Sequence, residues 1–364
     1  MTHLRTTALT FSAAAVLAVV AACNTASTAP MSEADDGDAA SGSPVASCDT
    51  LMALALPDVT ITAAETVAAG AFSPSLPEGR SLSDGQAQQY AALPAFCRVA
   101  ATLTPSPDSD IKMEVWLPVE DWNGKLQAVG NGAFTGSLRQ GGGRSMATGL
   151  DRGYATASTD TGHVGGSAEF GYEHPEKVID FGWRSVHEMT VTAKDVIAQF
   201  YGGGPEHSYW FGCSAGGRQA LKEAQRFPED YDGIIAGAPG NDWMGRAAGS
   251  LRVAKHLEHH EDARLPEAKV QLLHDAVLAA CDAADGVEDR VVGDPERCQF
   301  DPGVLECSGV AGDDCLTAAQ VATAEMMYAS PTNPETGRSI TGVLPGSEPN
   351  WTDMGWTRSA RATG

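Results

Sequence analysis

The stretch SYWFGCSAGGRQALKEAQRF, residues 208–227, constrains the fold more than any other part of the chain. It joins a short apolar strand to a G-x-S-x-G pentapeptide, Gly212 to Gly216. A segment follows with Leu221, Ala224 and Phe227 at helical spacing. The pentapeptide alone is weak in a chain with 40 glycines. Strand, sharp turn and helix together are the context that a nucleophile elbow requires. Such a turn forces the serine into strained backbone geometry, so its neighbours must be small, as Gly212 and Gly216 are. The following helix aims its N-terminal N–H groups at the position of a developing oxyanion, with Ala215 as the first donor. A second donor is expected from an earlier strand-to-helix loop. The loop VGNGAFTG, residues 129–136, places Gly132 in that role, with Gly130 and Asn131 as competitors. The alternative is a glycine-rich turn with a surface serine.

The surrounding sequence alternates strands and helices. IKMEVWLP (111–118), KLQAVG (125–130), GYATAST (153–159) and GIIAGAP (233–239) read as strands, the last of them buried. Residues 184–200 place Val186, Met189, Ala193, Val196, Ile197 and Phe200 on one helical face. This alternation predicts an α/β fold with a largely parallel sheet. After Asn241 the pattern becomes helical or loop-like, with four cysteines between 281 and 315, so a domain boundary is expected near residue 240. The formal charge of −23, with no basic stripe, argues against a nucleic-acid partner. Residues 1–23 read as an export signal ending in VAAC, which is similar to a lipobox with Cys23 as the lipidated residue. A lipid anchor at Cys23 is then the expected membrane contact; the alternative is an ordinary secretory signal that happens to contain a cysteine. Residues 24–47 are small, polar and acidic, and read as a disordered linker.

The segment WFGCSAGGRQALKEAQRFPEDYDGIIAGAPGNDW, with GYATASTDTGH and DFGWRSVHEMTVTAKDVIAQFYG upstream, resembles the tannase and feruloyl esterase family. The resemblance implies an α/β-hydrolase core over residues 48–240 and a large inserted lid from 241 to 364. It implies hydrolysis of aromatic-acid esters through an acyl-enzyme. The expected substrates are feruloyl esters first, including those attached to plant polysaccharide, then galloyl or mono(2-hydroxyethyl) terephthalate esters. The family's Ser-His-Asp triad takes its aspartate and histidine from downstream of the lid. They are therefore expected beyond Gly364, with little turnover by this chain alone. His256, His259, His260 and His274 read as solvated helix surface, and His163 and His187 precede the serine. The competing reading is a non-catalytic, calcium-binding lipoprotein derived from a hydrolase.

In CDAADGVEDRVVGDPERC, residues 281–298, closely spaced oxygen donors suit a hard cation. Asp282, Asp285 and Asp289 would be joined by the carbonyls of Val287 and Val291, with Gly286 allowing the turn. The family carries a lid calcium site in a loop of this form, so the resemblance implies structural calcium. Among the eight cysteines, Cys281 with Cys298, Cys307 with Cys315 and Cys48 with Cys97 are expected pairs in an exported protein. With Cys23 lipidated or removed, this arithmetic leaves Cys213 over. It is either a small apolar filler of the turn or, as the resemblance implies, the partner of a cysteine just after the triad histidine.

Overall fold

A computed structural model of the chain describes residues 42–76, 81–339 and 342–351. The expected export signal, Cys23 and most of the expected linker lie outside these residues. The chain divides into two compact units, Met1–Asn241 and Asp242–Gly364.

The first unit is built on one seven-stranded sheet. Its strands are β1 (Val59–Val67), β2 (Phe96–Leu103), β3 (Ile111–Pro118), β4 (Lys125–Val129), β5 (Ala155–Thr159), β6 (His207–Cys213) and β7 (Gly233–Gly237). They lie in the order β1-β2-β3-β5-β4-β6-β7. The expectation of a largely parallel sheet holds only for the half that carries Ser214. There β5, β4, β6 and β7 pair in parallel. The pairs β1–β2, β2–β3 and β3–β5 are antiparallel, so the sheet is mixed. The reason is connection length. A short link such as residues 104–110 returns the chain antiparallel, whereas parallel neighbours need a crossover.

The helices of this unit are α1 (Asp84–Ala91), α2 (Met146–Leu150), α3 (Pro175–Ile179), α4 (Ser185–Tyr201) and α5 (Ala215–Arg226). One π-helical turn, Asp180–Arg184, leads into α4. The α4 face expected from spacing is the buried one: Val186, Met189, Ala193, Val196, Ile197 and Phe200 pack into the main core with Val115, Leu117, Leu126 and Trp210. Strand β7 differs from expectation. It is the last strand in the sheet order, and Ile235 is 59% exposed, because its outer edge has no neighbour among the described residues. The end of the expected linker is also attached. Gly42 bridges to Trp122, and the Val45 N–H donates to the Phe200 carbonyl at 2.9 Å.

The second unit contains α6 (Trp243–His259), α7 (Glu267–Cys281) and α8 (Ala318–Tyr328), joined by loops and short 3-10 turns. Its own core gathers Val253, Leu257, Leu273, Leu316, Val321, Met327 and Trp351. Two of the histidines read as solvated are engaged. His274 Nδ1 lies 2.8 Å from a carboxylate oxygen of the fully buried Glu348, and His256 Nε2 lies 3.2 Å from Thr323 Oγ1. Helical periodicity could not place these contacts, because both partners come from distant sequence.

Disulfides join Cys48 to Cys97, Cys281 to Cys298 and Cys307 to Cys315. Cys213 is not left over: it too is disulfide-bonded. Pairing follows spatial approach of the Cα atoms and not nearness in sequence, so counting local partners could not place it.

Candidate active site

Ser214 stands between the end of β6 and the start of α5 with φ 60° and ψ −114°. That conformation is costly for a residue with a Cβ. Hydrogen bonds hold it there. The Ser214 N–H donates to the Gly237 carbonyl at 2.9 Å. Its own carbonyl accepts from the N–H groups of Arg218 at 3.0 Å and Gly240 at 3.1 Å. The backbone is therefore fixed from α5 and from the end of β7 with its following loop, while the serine itself is exposed.

The small residues around it are required by contact. A Cβ on Gly212 would lie 2.3 Å from the Gly216 carbonyl oxygen. One on Gly130 would lie 2.6 Å from the Gly216 Cα. The β4 loop and the elbow thus touch backbone to backbone, and the Gly216 N–H donates to the Asn131 carbonyl at 2.8 Å. Trp210 Nε1 supports the turn from below by donating to the Gly216 carbonyl at 3.0 Å.

The three candidate donors of the β4 loop are separated by their hydrogen bonds. The Gly130 N–H donates to the Phe211 carbonyl at 3.1 Å, and the Asn131 N–H donates to Gln219 Oε1 at 3.1 Å. The Gly132 N–H donates to no described residue. Ala215 is the first residue of α5, so its N–H has no partner within the helix. Gly130, Asn131, Gly132, Arg139, Arg144, Phe211, Gly212, Cys213 and Ser214 together line a cavity of about 200 Å³. Geometrically, this arrangement can hold a carbonyl beside a hydroxyl with uncommitted N–H donors near it.

No described histidine hydrogen-bonds to Ser214. His163 is buried, with Nε2 2.7 Å from the Phe134 carbonyl and its ring stacked on Phe170. His187 Nδ1 lies 2.7 Å from Asp230 Oδ2, and its ring stacks on Phe227.

The chain matches the family model described as tannase and feruloyl esterase over residues 97–362. An uncharacterized esterase of Xanthomonas campestris pv. campestris is 43% identical over 297 residues, which is 81% of this chain and 49% of that protein. A probable feruloyl esterase B-2 of Aspergillus flavus is 34% identical over 265 residues, covering 72% of this chain and 50% of that one. The crystal structure of feruloyl esterase B from Aspergillus oryzae superposes with a TM-score of 0.72 at 30% identity, covering 84% of this chain and 60% of that one.

The chain belongs to the tannase and feruloyl esterase family. It spans about half the length of the curated relatives it matches. A tannin acyl hydrolase from Aspergillus niger shares the fold at a TM-score of 0.53 and 20% identity.

Two arrangements in this family member were not legible as sites in the sequence. Arg139 and Arg144 border the serine cavity, though nothing in their spacing signals it. His187, Glu223 and Asp230 bring their ligand-capable atoms within 4.8 Å of one another, away from the cavity lining. Burial and the neighbouring Asp230 push the Glu223 carboxyl up from its ordinary range. His187 on α4, Glu223 on α5 and Asp230 in the loop before β7 are recognised as a cluster only once these segments are packed.

The acidic loop of the second unit has oxygen donors of the right chemistry for calcium, and Gly286 takes the left-handed turn at φ 97°. Its carboxylates are occupied locally. Asp282 accepts from the Arg290 N–H, Asp285 from those of Val287 and Gly293, and Asp289 from that of Val291. Three direct ligands at about 2.3–2.6 Å from one ion must lie within about 5 Å of each other. Asp282, Asp285 and Asp289 do not form such a group in this conformation. The donor types fit calcium, and the present side-chain arrangement does not.

Proposed function

We propose that this chain carries the nucleophile and oxyanion half of an exported serine esterase acting on aromatic-acid esters, with feruloyl esters as the preferred class. The observation that carries the reading is Ser214 held at φ 60° between β6 and α5, facing a cavity bordered by Gly132. Ser214 Oγ attacks the ester carbonyl. The Ala215 and Gly132 N–H groups stabilise the oxyanion, the alcohol leaves, and water releases the acid from the acyl-enzyme. The general base and its orienting carboxylate come from residues outside those described. The signal-like N-terminus supports export, and among the described residues no helix is long and apolar enough to cross a membrane. The loop holding Asp282, Asp285 and Asp289, with the Val287 and Val291 carbonyls, would bind structural calcium after its carboxylates turn inward.

Tannase-type and terephthalate-monoester activities are the nearest alternatives within this reading. One observation favours a different one, a non-catalytic calcium-binding lipoprotein: no described histidine hydrogen-bonds to Ser214. The deciding measurement is hydrolysis of methyl ferulate, methyl gallate and a p-nitrophenyl ester by two proteins. One is this chain and the other is its open reading frame carried to the stop codon. The reading expects Ser214-dependent turnover by the second and little by the first. Absence of Ser214-dependent turnover from both would establish the non-catalytic reading.

A further inference from the structure

Arg139 and Arg144 both line the Ser214 cavity. The chain has a formal charge of −23, so carboxylates are plentiful partners for its cations. Arg98, Arg184, Arg290, Arg297 and Arg338 each pair with one. Arg139 and Arg144 pair with none among the described residues, and neither guanidinium donates a hydrogen bond to a described residue. The Arg139 Nε is buried and unpartnered.

Their loop is pinned. The Arg139 N–H donates to Ser158 Oγ at 2.9 Å, and its carbonyl accepts from the Met146 N–H at 2.9 Å. The Gln140 carbonyl accepts from the Ala147 N–H at 3.0 Å, and Gln140 Nε2 donates to Glu114 at 2.9 Å. This closes the loop between the two arginines and keeps both beside the nucleophile. Glu114, the acid that Gln140 contacts, is already held by Arg98 and by Trp116 Nε1. Arg144 lies over the Phe211 ring at 5.9 Å, on the cavity wall. Burial lowers the pKa of both arginines, and their mutual repulsion lowers that of Arg144 further. Two like charges held together at such a cost need a counter-charge, and an anion bound between them removes both penalties.

We propose that Arg139 and Arg144 form an anion subsite within the Ser214 cavity, and that the preferred ester carries a carboxylate of its own. This rests on the esterase reading of Ser214. The carboxylate could sit on the alcohol half, as in a feruloyl ester of a hydroxy acid. It could also sit on the acyl half, as in the monomethyl ester of an aromatic diacid. Both present the same group to the arginine fork.

The test uses the full reading-frame protein with methyl ferulate as the neutral ester and those two acidic esters. At least one acidic ester is expected to exceed methyl ferulate in kcat/KM by tenfold or more. Arg139→Gln and Arg144→Gln should each cut that ratio by tenfold or more, through KM, and Arg144→Lys should restore part of it. Independently of any variant, the KM of the preferred acidic ester should rise with salt while that of methyl ferulate stays level. No preference for either acidic ester, or equal loss of kcat on all three esters, would overturn the subsite, the second result assigning the arginines to the oxyanion instead. Calorimetric titration of Ser214→Ala with the same acidic esters keeps the two readings apart. Arginine-dependent binding without any turnover by the unmodified protein would leave the subsite standing and sink the esterase.

Discussion

The strain at Ser214 can be measured by comparing Ser214→Gly with Ser214→Ala. Both variants lack the hydroxyl, and they differ in the Cβ alone. At φ 60° and ψ −114° a residue with a Cβ stores roughly 1–3 kcal/mol of backbone strain. Alanine keeps that cost and glycine does not. Glycine also gives the unfolded chain more freedom, which costs about 0.5–1 kcal/mol. The serine is exposed, so little burial is lost in either case. The difference leaves Ser214→Gly more stable than Ser214→Ala by up to about 2.5 kcal/mol, and by about 1 kcal/mol at the middle of both ranges. In a unit of this size that is a rise of roughly 2–6 °C in the melting temperature. Urea unfolding followed by tryptophan fluorescence reads it, since Trp210 is buried directly under the turn. If Ser214→Ala proves more stable than Ser214→Gly, the elbow does not store the strain argued from its φ and ψ.

Two further outcomes follow from other parts of the structure. Burial raises the Asp160 carboxyl to about 7, against the opposing N–H bonds from Gly162 and Lys112. Its folded pKa exceeds the unfolded value, so the folded state holds the proton longer. Stability is full below about pH 4 and falls as pH rises to about 7, by up to roughly 4 kcal/mol. Asp160→Asn should therefore lose less stability than the parent between pH 5 and pH 8, and parallel urea midpoints would contradict it. For calcium, excess ion should raise the melting temperature of the second unit. At a hundredfold excess over Kd the gain is about 2.7 kcal/mol, on the order of 10 °C. EGTA should reverse the gain and Asp289→Ala should abolish it. An unchanged transition with calcium and EGTA would remove the metal from the proposed function.

Residue-type patterns with a short period were legible without coordinates. The α4 face from Val186 to Phe200 reads directly from spacing, because one helix side meets one core. The elbow reads from Gly212, Ser214 and Gly216, because only small residues tolerate the backbone contacts found there. The neighbouring antiparallel strands β1 and β2 were less visible. Their pairing depends on long-range register, and β1 interleaves intermediate and exposed residues. The histidine partners were invisible for the same reason. Nothing near His274 announces Glu348, and nothing near His187 announces Asp230.

By itself the sequence determined the local machinery: a strand ending in a strained serine, a helix starting at Ala215, and a glycine loop after β4. These are set by sterics and hydrogen-bond donors within a few residues of each other, so order along the chain suffices. Only the tertiary structure decided which β4-loop donor is uncommitted. The Gln219 side chain, reaching across from α5, takes the Asn131 N–H and leaves that of Gly132 open to the cavity. It likewise brought Arg139 and Arg144 to the cavity that Ser214 lines, through a loop closed by Ser158 and Met146. Close approach between segments far apart in sequence is a property of packing, and packing carries no signature in either segment alone.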